Sequence, residues 1–148
     1  MFCFLGWAAC LAADPQMGTW KRNEAKSKMT PGTTQFNTLT FKSTFGNIKV
    51  TGDGVDASGR PIHVEWSGKF DGKDYRVTGD PNSDTRAYRK LNDRTLEVTV
   101  KKNGKVTVMG RSEVSADGKT RTSLLPGRTR KVKNSETLVF GRRSLSVL

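Results

Sequence analysis

Apolar and polar residues alternate along most of this chain, most sharply between Ile62 and Phe70. Ile62, Val64, Trp66, Gly68 and Phe70 fall on one side, and His63, Glu65, Ser67 and Lys69 on the other. So long a run at period two reads as a half-buried β-strand, because a helix would gather its apolar residues at every third or fourth position. Gly68 leaves a gap in the apolar row, which predicts a bend or the close approach of another side chain. Leu96, Val98 and Val100 repeat the pattern, with Thr95, Glu97, Thr99 and Lys101 outward, and Val106 and Val108 continue it on a partner strand. Between them lies Lys102-Asn103-Gly104-Lys105. Asn-Gly flanked by alternating residues marks a two-residue hairpin, whose central positions both need positive φ.

Similar punctuation at Ser58-Gly59, Asp71-Gly72, Asn92-Asp93 and Asp117-Gly118 divides the chain into short strands. The pattern predicts strands over 34–42, 45–51, 61–70, 74–78, 84–91, 94–101, 105–115, 119–125 and 134–141. Short connections make sequential neighbours antiparallel. The expected fold class is therefore all-β, an up-and-down meander of 8–9 strands. Closing such a sheet into a barrel removes its adhesive edges. The alternative is an open β-sandwich, which shows the same strand spacing but needs long Greek-key crossovers in place of hairpins.

Composition agrees with a thin, single-sheet core. Hydrophobic residues are 34% of the 148, with 15 glycines and 5 prolines. That is too few for a doubly wound fold, whose central strands are long apolar runs. The expected organisation is an export signal over 1–13, an N-terminal segment over 14–33, one barrel domain over 34–141 and a basic tail over 142–148. Met1–Ala13 carries no charge and ends in small residues, like the latter part of a secretory signal cleaved after Ala12 or Ala13, although it lacks a basic leading region. At 13 residues it is too short for a spanning helix. The two cysteines, Cys3 and Cys10, both fall inside it, so the body of the chain holds neither a disulfide framework nor a thiolate metal site.

The net charge of +12 is uneven: from Lys119 to Leu148 eight basic residues stand against one acid, Glu136. Arg128, Arg130, Lys131 and Lys133 are the candidates for contact with an anionic envelope polymer or membrane surface. Specific nucleic-acid binding is not expected, because stacking aromatics do not accompany these charges.

Before the first predicted strand, Gly18-Thr19-Trp20-Lys21 resembles the Gly-x-Trp opening of lipocalins and fatty-acid-binding proteins. That resemblance implies a calycin-type barrel in which Trp20 plugs one end and a basic residue of the last strand, Arg142 or Arg143, packs over its ring. Gly18–Lys28, Lys69–Asp84 and Val114–Thr120 are similar to small exported bacterial proteins with a lipocalin-like barrel and no assigned activity. The likeness covers roughly Gly18 to Arg121 and departs after Ser123, where Leu124-Leu125-Pro126-Gly127 interrupts the alternation.

Catalytic chemistry finds little support. His63 is the only histidine and lies on the polar face of its strand. Asp80-Pro81-Asn82-Ser83-Asp84 begins like a calcium loop, but Thr85 and Leu91 stand where its glycine and bidentate acid belong, so an Asx turn is expected. Asp71 with Asp74, and Asp53 with Asp56, flank turns, too wet to raise a carboxyl pKa for acid–base work. The expectation is a non-enzymatic, monomeric protein, periplasmic or secreted, without cofactor or metal, holding a small hydrophobic ligand. Phe36, Leu39, Phe41, Ile48, Val50, Val64, Trp66, Phe70, Tyr75 and Val98 are the inward residues expected to line a cavity or to fill it.

Overall fold

The structure, a computed structural model, describes residues 13–126 and 135–142. The described chain forms ten antiparallel strands: β1 (Gly18–Arg22), β2 (Gln35–Thr44), β3 (Asn47–Val55), β4 (Pro61–Gly68), β5 (Tyr75–Thr78), β6 (Thr85–Asn92), β7 (Thr95–Lys102), β8 (Lys105–Val114), β9 (Thr120–Pro126) and β10 (Ser135–Arg142). Each pairs with its sequence neighbours, and β1 pairs with both β2 and β10, so the sheet is a closed barrel. A sandwich is excluded, because no strand leaves the sequential order to join a second sheet.

The count of ten corrects the expected 8–9, and the additional strand is β1. Gly18–Arg22 has five residues and one large apolar side chain among them, too little for alternation to register. Its place depends on partners far away in sequence: Trp20 lies opposite Leu39 on one side and Arg142 on the other. The Gly-x-Trp segment is thus part of the wall that closes the barrel.

The two rows with the clearest alternation share the inner face. Val64, Trp66 and Leu96 are buried, and Ile62 and Val98 pack against the same core. Asn103 and Gly104 adopt φ of 50° and 73°, the paired positive values a type I′ hairpin needs. One expectation fails locally. A register shift between Val100 and Lys101 sets Val106 opposite Lys101, whose ammonium reaches Asp74 outside the barrel, while Val108 stays opposite Val100. Val106 therefore leaves the inner row that Val108 keeps, as an extra residue in one strand of a bulge requires.

Candidate ligand cavity

The interior is divided between a packed side and an empty one. On the packed side, inward residues of β3, β4 and β5 meet the aromatic rings of their neighbours. The Trp66 ring lies 4.7 Å from Tyr88 and 5.6 Å from Tyr75, both edge-on, and stacks with Phe70 at 6.4 Å. Phe41 closes the group, 6.5 Å from Phe70 and 6.2 Å from Tyr88. Edge-to-face pairs of this kind contribute about 0.5–1.5 kcal/mol each beyond burial. The indole N–H of Trp66 donates to the Arg86 carbonyl at 2.8 Å, so the buried ring leaves no polar atom stranded. The gap at Gly68 admits the Tyr75 ring: a Cβ there would stand 2.5 Å from Tyr75 Cγ and 2.8 Å from Trp66.

On the other side lies a cavity of about 720 Å³. Its wall is contributed by β2 and by β6 through β10, and no residue of β3, β4 or β5 reaches it. Phe36, Leu39, Val98, Val100, Val108 and Leu138 supply much of the apolar surface, with Thr33, Thr34 and the Asp80–Asn82 loop at one end. The void follows from side-chain size. Many inward positions of β7 to β9 carry small residues, Val98, Val100, Val108, Ser112 and Ser123, too short to span the interior of a wide barrel, and the longer Arg121 lies against Trp20 and Phe41.

Of the ten residues expected to surround a ligand, Phe36, Leu39, Phe41 and Val98 line the cavity. The other six, Ile48, Val50, Val64, Trp66, Phe70 and Tyr75, belong to the packed core instead. Alternation specifies the inner face but not how far opposite walls stand apart, so the sequence merged the two groups.

Two buried arginines, Arg86 and Arg121, also line the cavity, and neither was singled out in the sequence. Arg86 is neutralised: its Nη2 donates to Asp80 Oδ2 at 3.1 Å, and both side chains are over nine-tenths buried. Asp80 also accepts from the Asn82 backbone N–H at 2.9 Å and the Ser83 hydroxyl at 2.7 Å, the Asx turn expected of this loop. Among the described residues no carboxylate bonds to Arg121. It is 1% exposed, its Cζ 4.1 Å from the Phe41 ring centroid and 4.8 Å from that of Trp20. Its Nη1 donates to Ser112 Oγ at 3.0 Å, and its Nη2 to the carbonyl and side-chain oxygens of Gln16 at 3.0 and 2.8 Å. Burial pushes this guanidinium down to about 10, against a smaller upward pull from Tyr88. A signal was present in principle, since Arg121, Ser123 and Leu125 share one face of β9 at period two. With Thr122 and Leu124 opposite, the pattern does not say which face is inside.

Trp20 is fully buried where β1 meets β2 and β10. Its indole N–H points to the Gln16 carbonyl at 3.4 Å, and Arg142 Cζ lies 4.7 Å from its ring. Arg142 in turn donates to the Pro15 carbonyl at 2.8 Å, and the Arg142 guanidinium also packs against Gly18, 3.6 Å from where a Cβ would sit. Arg128, Arg130, Lys131, Lys133 and Arg143 lie outside the described residues, as do Cys3, Cys10 and the expected export signal up to Leu11-Ala12.

The surface candidates are dispersed. His63 is exposed, bonded through Nδ1 to Asp53 at 2.5 Å and through Nε2 to Glu65 at 3.2 Å. These contacts, Asp53 first, hold its imidazole above the usual range. Asp71 accepts from the Tyr75 hydroxyl at 2.7 Å and Asp74 from Lys101 at 2.5 Å, so the two turn carboxylates serve separate partners. Among the described residues no group of three His, Cys, Asp or Glu side chains is placed to hold a metal ion.

Comparison with known proteins adds little. No family model matches the chain, and no curated protein does. Among solved structures, a redesigned β-barrel aligns over 92% of this chain and 97% of its own, with 16% identity and a TM-score of 0.44. A likeness so distant carries no argument, and the barrel rests on its own strand pairing.

Proposed function

We propose that this chain is a non-enzymatic, lipocalin-like binding protein, exported to the periplasm or beyond, that encloses one small molecule with an apolar body. The cavity carries this reading. At about 720 Å³ it falls within the range of roughly 300–1,000 Å³ typical of small-molecule sites, and its wall is mainly aliphatic and aromatic. The meander and the Trp20 segment are consistent with a lipocalin-like container, and the signal-like start supports export. Catalysis finds no comparable support: His63 and the carboxylates of Asp53, Asp71 and Asp74 are at the surface and serve turns or ion pairs, and the buried Asp80 is tied to Arg86.

A neutral apolar dye, N-phenylnaphthylamine, tests the reading. Saturable binding with one site per chain, a rise in dye emission and a higher Tm are expected, since a ligand that binds only the folded state stabilises it. Absence of saturable binding, with Tm unmoved at saturating dye, overturns the proposal.

A further inference from the structure

Resting on the cavity reading, we infer that the ligand is an amphiphile with an anionic head group, carboxylate or phosphate, held where the cavity meets Trp20 by Arg121, Ser112 and Tyr88. Donors outnumber acceptors around Arg121. A guanidinium has five N–H donors and no acceptor. Arg121 makes three hydrogen bonds, and its Nε finds no partner although it is buried. Ser112 Oγ already accepts from both Arg121 and Ser123, the latter at 3.1 Å, so its own O–H is left to donate. The Tyr88 hydroxyl, close enough to influence Arg121, donates to no protein group among the described residues. All four residues line the cavity. One stretch of an otherwise apolar wall thus concentrates unspent donors around a buried positive charge.

Among the described residues no carboxylate pairs with that charge. Among them Asp14 acts on Arg121 from a distance, and Asp14 is engaged with Lys90 at 3.2 Å. Arg86, in the same cavity, also has an unpartnered Nε, but its charge is neutralised directly by Asp80. Burying an unpaired cation is costly unless an anion joins it, and an anion in this setting gains charge-assisted hydrogen bonds from several donors at once. The apolar wall around Val98, Val100 and Leu138 would then hold the chain of the amphiphile.

The experiment compares decanoate, decyl phosphate and decan-1-ol by tryptophan fluorescence and by displacement of N-phenylnaphthylamine, with the full chain. At least one anion should bind about tenfold tighter than the alcohol or better, the range expected of hydrogen bonds to a charged group. That preference should collapse towards one in Arg121→Met and narrow in the Ser112→Ala, Tyr88→Phe double variant. With wild-type protein labelled with ¹⁵N, the Arg121 Nε–H resonance should shift on adding the anion and stay in place with the alcohol. This readout decides the matter even where Arg121→Met does not fold. Equal affinity for anions and alcohol, or an unmoved Nε–H at saturation, overturns the head-group inference while leaving the container intact. Failure of all three amphiphiles and of the dye overturns the container itself.

Discussion

The two sides of this barrel are built on the same alternation and end in opposite states. Inward positions of β3 to β5 carry Val50, Val64, Trp66 and Tyr75, which meet rings from across the interior and leave no space. Inward positions of β7 to β9 along the cavity carry mostly valines, serines and a threonine beside Arg121 and Leu125, and a cavity remains. What differs is side-chain volume, so whether a barrel is solid or hollow depends on size at inward positions and not on hydrophobicity. The polar content differs too. The packed side satisfies its buried indole through the Arg86 carbonyl, whereas the hollow side keeps Arg121 with donors to spare.

The largest expected contrast comes from truncation. Trp66→Ala should cost about 3–5 kcal/mol in urea unfolding, because rings on three sides lose their partner. Val100→Ala, whose side chain already borders a void, should cost only about 1 kcal/mol. Equal losses would show that the division of the interior is false. Next is overpacking. Gly68→Ala should destabilise by about 1–3 kcal/mol, since its Cβ meets the base of the Tyr75 ring rather than a flexible tip. Val64→Phe should cost about 1–3 kcal/mol for the same reason, while Val100→Phe grows into the cavity and should stay within about 1 kcal/mol of wild type. Dye binding should weaken in Val100→Phe alone, which ties the tolerated substitution to the empty space.

The smallest effect belongs to the outer surface, as a control on both sides. His63 has its folded-state pKa raised by Asp53 and Glu65, so the stabilisation is complete below the ordinary value of 6.5 and disappears as pH climbs through the raised one. His63→Gln should therefore lower Tm slightly at acidic pH and leave it unchanged at alkaline pH. Both side chains flanking His63 are about half exposed, which keeps the shift small. A Tm difference that grows with pH would reverse the sign and remove the ion pairs as its cause.

Much of the wall was legible because each element carries its own evidence. Nine strands follow from alternation and turn residues, each visible within a window of about ten positions. β1 was not, since its identity as a strand is conferred by β2 and β10, with one strong inward residue of its own. The site was legible only in part for a related reason. Phe36, Leu39, Phe41 and Val98 were visible as inward apolar residues, but Arg121 sits in a stretch where both faces mix polar and apolar groups.

The chain alone, then, determined the antiparallel meander, its hairpins and the inner face, because period two and positive-φ turns are local properties of the backbone. Only the tertiary structure decided closure through β1, the division between ring-filled and empty interior, and the burial of Arg121 beside Trp20 and Phe41. Those depend on the distance between walls far apart in sequence, which no local pattern encodes.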